Sequence, residues 1–73
     1  MPARYIVRIT PADVGQRVTI RARTHAGPHE PSSTDTVGLL RSWADGVLHV
    51  ERRDGTVVQI AEADLLAARV IPG

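Results

Sequence analysis

A chain of 73 residues has room for one small domain, and the absence of cysteine excludes both a disulfide and a thiolate metal site. Nine basic side chains, all arginine, nearly balance eight acidic ones, and the net charge of +1 lacks the strongly basic character of most nucleic-acid-binding domains. The start of the chain has no signal-peptide pattern, and no apolar run approaches the ~20 residues that cross a bilayer, so we expect a soluble, cytoplasmic protein.

The N-terminal part of the chain predicts one strand followed by a single helical turn. Residues 4–9 alternate between apolar and polar side chains, as a strand with one buried face does. Thr10 can cap the turn, Pro11 suits its first position, and Asp13 suits the positive end of its dipole. Gly15 ends the turn. We therefore expect an extension strand ahead of the main domain.

Residues 17–24 are the clearest predicted strand, because polar and apolar residues alternate through the whole segment. Its polar side carries Arg17, Arg21 and Arg23, which we name the arginine row. Guanidinium groups suit bidentate pairing with phosphate or carboxylate, so the row is a candidate anion-binding or nucleic-acid-binding site. The alternative is a solvated strand face balanced by nearby acidic residues. Residues 25–35, rich in proline and small polar residues, predict a mobile loop.

The middle of the chain predicts three strands joined by tight turns. They cover residues 36–43, 47–52 and 56–60, and Asp-Gly pairs separate them. The first of these strands has apolar residues on both faces and contains Gly38, which predicts a bend that serves two parts of a sheet.

The length of the second turn follows from the strand register. A two-residue loop places Val50 opposite Gln59, whereas a three-residue loop at positions 53–55 places Val50 opposite Val58. Only the longer loop keeps apolar partners on one face, so we expect it, with Gly55 in a left-handed conformation.

The same reasoning, applied to a three-residue loop at positions 44–46, pairs Leu40 with Val50 and Trp43 with Val47. In this register the outer face of the central hairpins carries apolar residues and a tryptophan, which are typical of a protein-binding surface. Its candidate residues are Leu39, Arg41, Trp43, Val47, His49 and Val57.

The end of the chain predicts a short 3-10 turn within residues 61–66 and a last strand at 67–71. The predicted architecture is all-β: a single domain over residues 1–73, folded as a small five-stranded SH3-like barrel with an extra N-terminal strand. An Sm-like barrel is the second candidate, because the spacing of the central strands fits it. Sm-like chains usually open with a full helix, however, and here only one turn is predicted.

Several short pieces of the sequence share the order and spacing of a known domain. They are Asp13-Val14-Gly15, Val37-Gly38, Ser42-Trp43, Asp45-Gly46, Arg52-Arg53-Asp54-Gly55, Ala63-Asp64 and Ala67-Ala68. Together they resemble the SH3-like domain at the N-terminus of actinobacterial GNAT-type acetyltransferases. The resemblance covers residues 11–72 and implies an accessory domain, here either a free-standing chain or a piece cut from a longer one, with no catalytic residues to carry over.

No pattern in the sequence predicts an enzyme active site or a cofactor-binding site. The segment 41–46 comes near the acyl-CoA pattern Arg-x-x-Gly-x-Gly, but alanine stands at position 44 and the segment predicts a hairpin turn, not a helix start. No base can be placed beside any serine to activate it. His25 and His29 are four residues apart, but a glycine and a proline between them exclude a helix, so we expect no metal site.

The leading hypothesis is a non-catalytic module that binds protein, either a partner or a second copy. A homodimer could form through residues 4–9 or through the face that carries Trp43, unless the N-terminal strand covers that face within the chain. The hypothesis from a different class is nucleic-acid binding through the arginine row.

Overall fold

A computed structural model describes residues 6–24 and 32–72 of the chain. Within these ranges the chain forms five strands and two 3-10 turns. In chain order they are η1 (Pro11–Asp13), β1 (Arg17–Thr24), β2 (Ser32–Ala44), β3 (Val47–Glu51), β4 (Val57–Ala61), η2 (Glu62–Asp64) and β5 (Leu65–Val70). The all-β prediction and the short 3-10 turn ahead of the last strand are confirmed.

The five strands form one antiparallel sheet in the order β4-β3-β2-β1-β5. This order puts β4 and β5 at opposite edges, and no pairing joins them among the described residues. The predicted closed barrel is therefore wrong, and the domain is a single open sheet. The 3-10 turn η2 carries the chain directly from one edge strand to the other.

The core lies on one face of the sheet, where every strand contributes an apolar side chain. It consists of Ile9, Val18, Ile20, Ala22, Leu40, Leu48, Val50, Ile60 and Ala68, with Trp43, Val58, Leu65 and Val70 packed against it. The alternation of buried and exposed residues along β1 and β3 is the period of two that the sequence predicts.

The N-terminal segment runs beside β5. Val7 forms an isolated parallel bridge with Ala68, whose backbone N–H donates to the carbonyl of Ile6 at 3.0 Å. Ile9 then enters the core and is 4% exposed. The segment therefore extends the sheet at an edge and does not lie across the outer face of the hairpins. The remainder of the predicted strand, including Tyr5, lies outside the described residues.

The predicted cap of the first turn is confirmed. Thr10 Oγ1 accepts a hydrogen bond from the N–H of Ala12 at 3.2 Å, and Asp13 Oδ2 accepts one from the N–H of Thr10 at 2.8 Å. Gly15, at a φ of 99°, ends the turn, and its N–H donates to the carbonyl of Leu40. The turn is thereby tied to β2.

The register of the β3–β4 hairpin is the predicted one. Val50 lies opposite Val58, and the N–H of Arg52 donates to the carbonyl of Thr56 at 2.8 Å. The loop therefore contains three residues, and Gly55 has a φ of 91°. Glycine adopts this left-handed conformation at no steric cost.

The register of the β2–β3 hairpin differs from the prediction beyond Leu40. Ala44 pairs with Val47 across a two-residue turn in which Asp45 and Gly46 have φ values of 54° and 76°. Positive φ at both positions is typical of the type I′ turn that Asp-Gly favours. A register shift between Leu40 and Ser42 then restores the predicted pairing of Leu40 with Val50. Arg41 is thus the extra residue of a β-bulge.

The bulge moves Trp43 to the other side of the sheet. Trp43 lies opposite Leu48, on the core face, and not opposite Val47 as predicted. A one-residue difference in register reverses the face of each side chain that follows it. Trp43 therefore leaves the predicted outer surface.

Strand β2 begins earlier than predicted, and the predicted loop at 25–35 is wrong for its last four residues. Positions 32–35 pair with positions 24–21 of β1. Three of the four pairs join two polar residues: the hydroxyls of Thr24 and Ser32 contact each other, Asp35 binds Arg21, and Arg23 lies opposite Ser33. Cross-strand polar pairs stabilise a sheet without producing the apolar alternation that a sequence reveals. Residues 25–31 lie outside the described part.

Gly38 marks a close approach of two strands. A Cβ at this position would lie 2.3 Å from the carbonyl oxygen of Glu51 and 2.9 Å from Val50 Cγ1. Gly38 is buried, and its lack of a side chain lets β2 pass close to β3. The sequence predicted a bend at this glycine; the structure shows a close approach of two strands there, and the irregularity of β2 lies at Arg41 instead.

Candidate interaction surfaces

The outer face of β2, β3 and β4 presents an apolar surface around one ion pair. Leu39 lies opposite Glu51, which in turn lies opposite Val57, so the three side chains form one row across three strands. Val57 is 50% exposed. Arg41 Nη1 lies 3.4 Å from Glu51 Oε1. The ion pair neutralises the only charge within the row.

Five of the six predicted surface residues remain on this side of the sheet. We name them the hairpin face: Leu39, Arg41, Val47, His49 and Val57. Val47 and His49 are half-buried, whereas Arg41 and Val57 are exposed. The predicted face is thus largely preserved, but it loses its aromatic anchor.

The side chain of Trp43 connects the core to η2, the turn that precedes β5. Its ring packs against the core cluster, and its Nε1 donates a hydrogen bond to Glu62 Oε1 at 2.5 Å. Glu62 is the first residue of η2, and its N–H donates to the carbonyl of Gly46. The tryptophan therefore links the β2–β3 hairpin to η2.

The structure brings Ser42 and His49 together, which the sequence interpretation did not predict. Ser42 Oγ lies 3.0 Å from His49 Nδ1, across neighbouring strands. The predicted register placed Arg41 opposite His49, and the bulge at Arg41 replaces it with Ser42. The two-residue Asp-Gly turn is the sequence signal that could have revealed this pair. No described carboxylate is hydrogen-bonded to His49, so the pair lacks the orienting acid of a hydrolytic triad.

The arginine row lies on the outer face of β1, as the alternation predicts. Arg21 makes two hydrogen bonds to Asp35 of β2, Nε to Oδ1 at 2.9 Å and Nη2 to Oδ2 at 3.1 Å. The bond from Arg21 keeps the pKa of Asp35 below its usual value of 3.8. Arg17 and Arg23 are exposed and form no ion pair with any described residue. The row is therefore interrupted at its centre by a neutralised pair.

A groove of about 300 Å³ lies beside the arginine row, and the sequence interpretation did not predict it. The N-terminal segment and β5 form it together with the outer face of β1. Its charged lining is Arg8, Arg21, Arg69 and Asp35, and its apolar lining is Ile6, Ala67 and Ala68, with Thr19 beside them. Arg8 reaches this place because the bridge at Val7 holds its segment against β5.

Among the residues that the structure describes, no group of three or more histidine, cysteine, aspartate or glutamate side chains is arranged to hold a metal ion. His25 and His29 lie outside this part of the chain. None of the helical segments in residues 6–24 and 32–72 is long and apolar enough to span a bilayer.

The sequence can now be compared with known proteins. Residues 6–69 match the family described as the Rv0428c N-terminal Sm-like domain. The chain belongs to this family. Of the two folds that the sequence left open, the family description names the Sm-like one, and it confirms the resemblance to the N-terminal domain of acetyltransferases. No solved structure matches the chain.

A relative in Mycobacterium tuberculosis (strain ATCC 25618 / H37Rv) carries the name "Probable histone acetyltransferase Rv0428c". It is 40% identical to the chain over 58 residues, which cover 80% of the chain and 18% of the relative. The chain thus spans less than a fifth of the relative that it matches. The similarity concerns the Sm-like domain, and most of the relative lies outside it.

Proposed function

We propose that the chain is a non-catalytic, cytoplasmic interaction domain that binds protein through the hairpin face. The observation that carries this proposal is the row in which half-buried Leu39 and exposed Val57 flank a neutralised Glu51. Membership of the Sm-like family and the small share of the acetyltransferase relative that the chain matches support an accessory role.

The hairpin face has the features of a modest protein-binding surface. Its apolar members extend from the central strand β2 to the edge strand β4. Its ion pair is exposed, so the pair contributes little to stability and its desolvation by a partner costs little free energy. Exposed apolar side chains grouped on one face favour burial against another surface. Because Trp43 lies on the core face, the binding energy at the hairpin face must come from aliphatic contacts. Such contacts favour a weak association, or one with a partner domain held nearby in the same polypeptide.

The preferred partner is a protein of acetyltransferase type, and the second candidate is another copy of the chain. A dimer through residues 4–9 is the less favoured route, because Val7 and its neighbours already pair with Ala68 of the same chain. The edge strand β4, which lies at the other side of the sheet from β5, contributes Val57 to the hairpin face and is open to pairing with either partner.

The experiment is a titration of the isotopically labelled chain with the part of the Mycobacterium tuberculosis relative that lies outside the matched region. We expect saturable amide shifts at Leu39, His49 and Val57. Val57→Glu should weaken binding about tenfold or more, because it buries an unpaired charge. Val14→Glu is the matched control, since Val14 is 43% exposed and lies after η1. Equal loss in both variants, or no shifts at the hairpin face, would contradict the proposal.

Nucleic-acid binding through the arginine row is the second candidate function. The exposed guanidinium groups of Arg17 and Arg23 favour it, and the pairing of Arg21 with Asp35 disfavours it. Phosphate contacts weaken steeply with salt, so this function requires retention on an oligonucleotide column that is lost as salt rises. Replacing Arg17 and Arg23 together by glutamine should abolish the retention, and absence of retention at low salt removes this candidate.

A further inference from the structure

Positive charge is concentrated in one part of a nearly neutral molecule. The outer face of β1 and β5, together with the N-terminal segment, carries five of the nine arginines. They are Arg8, Arg17, Arg21, Arg23 and Arg69. Asp35 is the acidic residue that lies among them. The net charge of +1 therefore conceals a strongly cationic surface.

Two of these arginines face the groove without a compensating carboxylate. Arg8 and Arg69 form no ion pair with any residue in 6–24 or 32–72. Arg21 is balanced by Asp35. The charged lining of the groove thus sums to about two positive charges, three guanidinium groups against one carboxylate.

The groove also has an apolar wall. Ile6 is 41% exposed, and Ala67 and Ala68 lie on the adjoining strand. A volume of about 300 Å³ is at the lower end of the range for small-molecule sites. It admits one anionic group and a small organic part beside it.

We propose that this groove binds the phosphate group of a small organic phosphate. A phosphate monoester carries close to two negative charges at neutral pH, which matches the two uncompensated guanidinium groups. Arginine pairs with phosphate through two parallel N–H donors, and the groove presents such groups from the N-terminal segment, β1 and β5. The apolar wall contacts the organic part. This site lies apart from the hairpin face and does not depend on protein binding there.

Asp35 limits the affinity of the groove, because it occupies the donors of Arg21. A bound phosphate must share Arg21 with this carboxylate, and the two anions repel each other. Removing the carboxylate takes away the anion that competes with the ligand for Arg21. This feature provides a test in which a substitution strengthens binding.

The experiment is a titration of the labelled full chain at pH 7.5 with phenyl phosphate, inorganic phosphate and benzoate. We expect saturable shifts of the amide and Nε–H signals of Arg8 and Arg69, with phenyl phosphate binding more tightly than either other probe. Arg8→Gln and Arg69→Gln should each weaken phenyl phosphate binding about fivefold to tenfold, through loss of a charge-assisted hydrogen bond. Asp35→Asn should strengthen it about threefold.

The control is the double variant Arg52→Gln, Arg53→Gln, at the β3–β4 loop. It removes two positive charges, as Arg8→Gln and Arg69→Gln together do, and should leave the affinity for phenyl phosphate unchanged. Equal weakening by this control shows a bulk charge effect and overturns the site. Equal affinity for benzoate overturns the assignment to phosphate. Absence of saturable shifts also overturns the proposal. If a single-stranded oligonucleotide binds more tightly than phenyl phosphate, and its binding depends on Arg17 and Arg23, the proposal is overturned and the ligand is nucleic acid.

Discussion

Trp43 lies opposite Leu48 on the face of the sheet that holds the core. One extra residue, Arg41, brings about this placement, because the bulge reverses the side on which the following residues point. The same bulge places Ser42 beside His49 and leaves Arg41 free to bind Glu51 on the outer face. A single irregularity in β2 thus decides which residues stabilise the domain and which are available to a partner.

The first prediction concerns the link between Trp43 and Glu62. Trp43→Ala should lower the free energy of unfolding by about 2 kcal/mol, since a half-buried tryptophan loses core contacts and a hydrogen bond. In a cycle of Trp43→Phe and Glu62→Ala, each of which removes one partner of the hydrogen bond, we expect a coupling of about 1 kcal/mol in urea unfolding. A coupling of zero would show that the hydrogen bond contributes nothing.

The second prediction concerns the close approach at Gly38. Gly38→Ala should lower the free energy of unfolding by about 2 kcal/mol or more, because the added Cβ meets the carbonyl oxygen of Glu51 at 2.3 Å. Val37→Ala, at an exposed neighbouring position, is the control and should change it by less than about 0.5 kcal/mol. Equal stabilities of the two variants would mean that β2 and β3 are further apart than described here.

The third prediction separates two residues of the N-terminal segment. Ile9→Ala should destabilise the domain by about 2 kcal/mol, because Ile9 is buried in the core. Val7→Ala should cost less than about 0.5 kcal/mol, since Val7 is 42% exposed and contributes mainly its backbone bridge. Thermal and urea unfolding measure both. A similar cost for the two substitutions would contradict the described position of this segment.

The fourth prediction is a loss of stability in acid. The hydrogen bond from Arg21 lowers the pKa of Asp35, and the N–H of Thr56 lowers the pKa of Asp54, relative to the usual value of 3.8. Between the folded and unfolded pKa values the unfolded chain binds more protons, so stability rises with pH. The contribution of the two carboxylates to the free energy of unfolding is present above their unfolded pKa values, at about pH 4, and is lost as pH falls through their folded pKa values.

Asp35→Asn and Asp54→Asn should therefore each flatten the decline of unfolding free energy below pH ~4. Asp45→Asn, in the β2–β3 turn, is the control, because asparagine also tolerates the positive φ there. If the wild-type profile persists in both test variants, neither carboxylate carries the acid sensitivity.

Much of the sheet could be predicted from the sequence, because its core alternates with a period of two. Apolar alternation and turn residues predicted β1, the β3–β4 register and the left-handed conformation of Gly55. The early start of β2 could not be predicted, because three of its four added pairs with β1 join two polar residues. The closed barrel was also an error, since whether the two edge strands, β4 and β5, pair with each other leaves no signal within either strand.

The candidate sites were harder to predict than the strands. Assuming a three-residue loop at Asp45-Gly46 gave the right partner for Leu40 but the wrong face for Trp43, because a bulge compensated the shorter turn. The groove around Arg8 and Arg69 joins residues 61 positions apart, and only the bridge between Val7 and Ala68 brings them together. No local pattern encodes such a contact.

The most direct test compares stability and binding in the same two variants. The unfolding free energy and the affinity for the non-matching part of the Mycobacterium tuberculosis relative are measured for Trp43→Ala and Val57→Glu. We expect Trp43→Ala to lower the free energy of unfolding but to retain binding when folded, and Val57→Glu to retain stability but to lose binding. A stable Trp43→Ala variant that no longer binds would contradict the inward placement of Trp43 and the hairpin face together.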